Sequence, residues 1–132
     1  MKEITKKWLE FAKNDLEAAK ILLNGSKKNI YYACFYYCHQ SLEKNLKAIL
    51  AERDQKIPKI HDLVDLFKKT QIHFPKEHIH FIKTINPYYN PIRYPDSIME
   101  LKEEFTKVKT KKIYQQTKEA IKWMQHELTR KN

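Results

Sequence analysis

The sequence predicts an all-α fold, and three observations carry that expectation. A single Gly occurs in 132 residues, so the positive-φ positions that tight hairpins, phosphate-cradling loops and dinucleotide fingerprints require are almost entirely missing. Apolar residues make up 42% of the chain, too many for a disordered tail. They also recur at helical spacing over most of its length. The length suits one domain, residues 1–132, with one core that buries roughly two-thirds of the unfolded surface.

The elements follow in order. From Glu3 to Leu23, Ile4, Trp8, Leu9, Phe11, Ala12, Leu16, Ala19, Leu22 and Leu23 share one side of a helix at 100° per residue. Asn24-Gly25-Ser26 ends it, with the only Gly placed as a C-terminal cap. A second run from about Asn29 to Glu52 carries Tyr31, Phe35, Cys38, Leu42, Leu46 and Ile49 on one stripe, with Gln40, Ser41, Lys44 and Asn45 opposite. This reads as the central core helix. After the linker Lys56-Ile57-Pro58-Lys59, a short helix from His61 to about Thr70 turns Leu63, Leu66 and Phe67 inward, and Lys76 to Thr84 forms another. Three Pro between Pro87 and Pro95 predict an extended loop from Asn86 to Asp96. From Ser97 to Leu128 the pattern is helical again, but the stripe of Ile98, Leu101, Phe105 and Val108 lies about 150° round from that of Ile113, Ala120, Ile121, Met124 and Leu128. A short helix, a break near residues 107–112 and a long C-terminal helix account for that change of face.

The longest stretch without a formal charge, Asn29 to Leu42, has 14 residues, where a membrane span needs about 20. The charged opening MKEITKKWLEF does not read as a signal peptide. The expectation is a cytoplasmic protein with no membrane association. Cys34 and Cys38 are expected as reduced core thiols, and Cys34-x-x-x-Cys38-His39 lacks the second ligand pair of a closed metal site. No metal and no cofactor are expected.

Candidate functional residues are those that break the apolar pattern. Asp15 projects into the apolar arc of the first helix, where a carboxylate requires a cation or donor, as a salt bridge to a neighbouring helix or as a functional group. His39 and Glu43 form an i,i+4 pair aligned with Tyr32, Tyr36 and Lys47 along the flank of the second helix, a polar seam that serves either packing or proton transfer. His61-Asp62 opens the third helix, with Asp62 suited to the helix dipole and His61 to capping. His73, His78 and His80 straddle a Pro-containing turn without a matching carboxylate and read as solvated loop residues.

The formal charge is +10, concentrated at the ends: residues 101–132 hold nine basic against four acidic residues, and residues 1–30 hold seven against four. Such a pole attracts RNA, a nucleotide or an acidic protein, and it also serves solubility.

Taken in order, Ala12-x-x-Asp15-Leu16-x-x-Ala19, Tyr36-x-x-His39-Gln40-x-x-Glu43-Lys44-x-x-Lys47-Ala48, Pro58-x-x-His61-Asp62-Leu63, Asn86-x-x-Tyr89 and Arg93-Tyr94-Pro95-Asp96 resemble the HEPN domain over most of the chain. The resemblance implies an up-and-down bundle of four to five helices with the Pro-rich segment before the C-terminal helices. It also implies a homodimer that partners a minimal nucleotidyltransferase in a two-component, toxin–antitoxin-like pair. Many members of that family are metal-independent ribonucleases using Arg, four to six residues, then His, with the His moving a proton and the Arg stabilising phosphate charge. Here Arg93 is followed at positions 98–100 by Ile98, Met99 and Glu100, and Arg53 precedes His61 with seven residues between them. The expected acid–base residue is missing.

The reading is therefore a non-catalytic dimeric binding module for a nucleotide or a nucleotidyltransferase partner, with no catalytic residue assigned. Its alternative is a ribonuclease using Arg93 with a displaced His, His61 or His39. Arg93 is the expected phosphate contact, because its planar fork matches phosphate oxygens. Asp96 either holds Arg93 or caps the next helix, Tyr94 packs or stacks beside it, and His61, Asp15, His39, Glu43 and Lys47 complete the candidate set.

Overall fold

A computed structural model describes residues 1–25 and 30–130. Three long helices, α1 (Glu3–Asn24), α2 (Tyr31–Glu52) and α7 (Lys107–Thr129), form the frame. Between α2 and α7 the chain makes α3 (Leu63–Thr70), α4 (Lys76–Ile85), a 3-10 turn at Asn86–Tyr88, α5 (Tyr89–Ile92), α6 (Pro95–Leu101) and a second 3-10 turn at Lys102–Glu104. The expected all-α helical bundle is what the molecule forms. Ser26 and Asn29, expected at the first turn and at the start of α2, lie outside the described residues.

α2 is the central helix. Phe35, Cys38, Leu42 and Leu46 are fully buried, and Phe35 meets Tyr88 and Phe105 edge to face at 5.1 and 5.0 Å. Cys34 and Cys38 are buried free thiols. α1 lies antiparallel on α2: the α1 end is tied to the α2 terminus by Lys2 N–H and Thr5 Oγ1, which donate to Glu52 at 3.0 and 2.9 Å. Further along, Ser41 Oγ donates to the Ala12 carbonyl at 2.7 Å. The small side chains of Ala12 and Ala19, both fully buried, permit this close approach.

Several expectations are corrected here. Ser41 and Asn45, expected on the open side of α2, are buried because α1 and α7 both pack along this helix. Ile4 and Phe11 stand 48% and 58% exposed, since the apolar arc of α1 is wider than its contact with the bundle. Gly25 caps α1 through its N–H to the Ile21 carbonyl, but at φ −95°, so the left-handed freedom of Gly is not used there. The left-handed positions instead fall on Asp54 and on Gln71, the C-cap of α3. His61 does not cap α3; Asp62 does, accepting from Asp65 N–H at 2.9 Å. His78 lies half-buried on α4 beside Trp123 instead of in a solvated loop.

The segment from Asn86 to Asp96 is not extended. It coils into successive helical turns, with Pro87 and Pro95 near the starts of their own turns and Pro91 in the first turn of α5, positions where the missing N–H has no intrahelical acceptor to lose. The break before the last helix falls slightly earlier than expected, at Phe105-Thr106. Thr106 caps α7 by accepting from Lys109 N–H at 3.1 Å, and Val108 is left 82% exposed.

Packing along α2 also encloses His39, which is 1% exposed. Burial lowers its pKa to about 4; the neighbouring His61 adds to that fall, while Asn86 and Asp62 oppose it. The unfolded chain therefore takes up a proton near pH 6.5 that the folded chain refuses until about pH 4. This group leaves stability unchanged above pH 6.5 and removes it as pH falls between those values. His39→Leu is expected to flatten that part of the acid limb. Between pH 7.5 and 4.5 the native protein should lose roughly 2–3 kcal/mol more than the variant in urea unfolding; parallel pH curves would show that His39 does not carry the effect.

Candidate functional site

The site is built where the start of α3 meets the end of α4. Asn86 joins the two: its Oδ1 accepts from Leu63 N–H at 2.8 Å and its Nδ2 donates to Asp62 at 3.2 Å. The Asp65 N–H, with help from Asn86, holds the Asp62 carboxyl below the usual range. Beside this joint lies a cavity of about 320 Å³ lined by His61, Asp62, Asn86, Pro87, Tyr89, Asn90 and Arg93.

Tyr89 organises its wall. The ring stacks on His61 at 4.9 Å and 19°, tilts against His39 at 4.6 Å, and lies near parallel to Tyr36 at 6.3 Å. One helical turn later, the Arg93 guanidinium sits 5.1 Å from the Tyr89 centroid and 5.7 Å from that of Tyr94. Cation–π contact of this kind orients a guanidinium without neutralising it. Burial raises the Tyr89 phenol above its ordinary pKa, and the Arg93 charge opposes part of that rise. Arg93 makes no ion pair among the described residues, including none to Asp96.

His61 is anchored from behind. Its Nδ1 lies 3.0 Å from Glu43 Oε1, while Glu43 Oε2 accepts from Lys47 Nζ at 3.0 Å. The carboxylate and the ammonium are buried, whereas the imidazole is half exposed. Because a Lys-paired carboxylate only accepts, the Nδ1 position carries the proton and Nε2 is the nitrogen left to a ligand.

The fold thus brings Arg93 and His61 to one cavity, with Glu43 and Lys47 as the buried support of His61 and His39 beneath Tyr89. The other candidates stand apart. Asp15 forms an ion pair with Lys44 on the seam between α1 and α2, both side chains largely covered. Asp96 occupies the exposed first turn of α6, whose N-cap is Tyr94, 55% exposed. Asn86, Pro87, Tyr89 and Asn90 lie outside the set of site residues expected from the sequence. Their signal is the spacing Asn86-x-x-Tyr89-x-x-x-Arg93, which falls on one helical face but is masked by prolines that favour extended chain.

Among the described residues no helix is long and apolar enough to cross a membrane, and no group of His, Cys, Asp and Glu is arranged to hold a metal ion. No curated protein matches the sequence. The fold is similar to that in the crystal structure of TT1696 from Thermus thermophilus, with a TM-score of 0.78 and 21% identity, over 92% of this chain and 96% of that one. At that identity the likeness concerns the fold. The HEPN domain family model matches residues 5–128, nearly the whole length, and the chain therefore belongs to the HEPN domain family.

Proposed function

We propose that this HEPN-domain chain is a single-domain, non-catalytic binding module whose Arg93 cavity holds the phosphate of a nucleotide. In this reading it acts as a homodimer and as partner of a minimal nucleotidyltransferase in a toxin–antitoxin-like pair. The observation that carries the binding role is the Arg93 guanidinium at the cavity wall, set against Tyr89 with no carboxylate paired to it among the described residues. A planar fork in that state favours phosphate oxygens. Asn90 and Asn86 add amide groups to the lining, and Tyr94 stands at the outer side of the guanidinium. Asp62 also lines the cavity, but its oxygens are occupied by Asp65 N–H and Asn86 Nδ2. Asp15, paired with Lys44, has a structural part in this reading, and Asp96 favours the start of α6.

Titration calorimetry with ATP tests the assignment. Arg93→Ala is expected to weaken ATP binding about tenfold or more, the loss of one charge-assisted contact. Because Arg93 is exposed, the thermal midpoint of the free protein should stay unchanged. Equal affinity in the variant would remove Arg93 from the site.

A second reading has its own observation. His61 and Arg93 contact the same Tyr89 ring, and Glu43 fixes the imidazole with one nitrogen available. That arrangement supports a metal-independent ribonuclease in which His61 moves the proton of a 2′-hydroxyl and Arg93 stabilises charge on the phosphate. The binding-module reading expects no cleavage of single-stranded RNA in EDTA. Cleavage lost in both His61→Ala and Arg93→Ala would replace it with the ribonuclease.

A further inference from the structure

A second concave surface lies between α1 and α7 and shares no lining residue with the Arg93 cavity. Both helices pack on α2 and touch each other much less, so α2 forms the floor between them. One cavity of about 610 Å³ and another of about 560 Å³ share Lys13 and Gln125, and together make a continuous groove. From Lys6 to Leu16 it follows α1 for about 15 Å, the rise of ten helical residues.

The groove has two chemical characters. Ala12 and Leu16 of α1 and Ile121 of α7 give it an apolar lining. Lys6, Lys13, Lys118 and Lys122 stand along its walls against Glu10 and Glu119, and Lys13, Lys118 and Lys122 make no ion pair among the described residues. At the floor a polar group is left over. Asn45 is 1% exposed; its Nδ2 donates to the Ser41 carbonyl at 2.8 Å, while its Oδ1 is buried without a partner. That acceptor lies beneath the groove, out of reach of a docked side chain, and takes no part in recognition.

We infer that this groove docks an acidic amphipathic helix of a partner protein. Its apolar stripe seats on Leu16 and Ile121, and its flanking carboxylates meet Lys13, Lys118 and Lys122. Helix-in-groove recognition uses this combination of an apolar seam and charged flanks. A second copy meeting this face through a two-fold axis would set Lys13, Lys118 and Lys122 against the same lysines, which opposes it as the occupant here. A nucleic-acid backbone has no use for the apolar lining, and Glu119 would repel its phosphates. Nothing at Arg93 contributes to this groove, so loss of ATP binding leaves the docking intact.

Fluorescence anisotropy with the full chain tests it, using a labelled helical peptide of about 15 residues. The peptide carries Leu on one stripe and Glu on both flanks. At about 150 mM salt it should bind saturably, and the Lys118→Glu/Lys122→Glu variant should bind it about tenfold more weakly. Lys68→Glu/Lys69→Glu on α3 makes the same change in net charge outside the groove and should shift affinity less than about threefold. All four lysines are exposed, so folding is not at issue. Absence of saturable binding, or equal weakening by the two variants, would overturn the inference. So would sedimentation showing that Lys118→Glu/Lys122→Glu converts a dimer to a monomer, which would assign the groove to a second copy.

Discussion

A carboxylate withdrawn from water costs several kcal/mol unless cations or donors meet it, and Glu43 is 4% exposed in the middle of the central helix. One oxygen is met from within α2 by Lys47, one turn on, itself buried and lying 5.7 Å from the Trp8 ring of α1. The other is met by His61, which arrives from the chain just before α3. That second contact holds the entry of α3 against α2. Asp62, next in sequence, caps α3, and Asn86 binds both Asp62 and the first amide of α3, so the end of α4 is fixed by the same chain of bonds. The walls of the cavity are consequences of where Glu43 sits.

The Pro-rich segment completes the site because it is coiled. Successive turns place Tyr89 and Arg93 one turn apart on the same side, whereas an extended chain would point residues four apart along a line too long to share one ring. A second anchor holds its other flank: Tyr88 donates to Glu104 at 2.8 Å and accepts from Lys109 at 3.0 Å, while its ring packs on Phe35. Tyr88 therefore faces the core as the adjacent Tyr89 faces the cavity.

Polar residues within the bundle divide by what surrounds them. Asp15 and Lys44 close a charge on the α1–α2 seam and line neither the Arg93 cavity nor the groove, while Asn45 Oδ1 is buried beneath the groove of α1 and α7. The concentration of basic residues toward the two termini becomes intelligible in three dimensions. α1 and α7 lie side by side on α2, so lysines distant in sequence line one groove.

What the sequence determined by itself was the helical class, the core stripe of α2, the core thiols, the position of the only Gly cap and the need of Asp15 for a cation. Each rests on spacing or composition, which act within a few turns of chain. It also contained Arg93, His61 and Glu43 as candidates, because polar groups at apolar margins are visible in a helical projection. Tertiary structure alone decided that His61 bonds Glu43 instead of capping α3, that Asp15 takes Lys44 and stays out of the site, and that Tyr89 joins Arg93 to His61. It also decided that Ser41 and Asn45 are interior, since a helix packed on two faces hides the polar side that a one-sided pattern leaves open. Those outcomes depend on which segments meet in space, and local periodicity has no access to that.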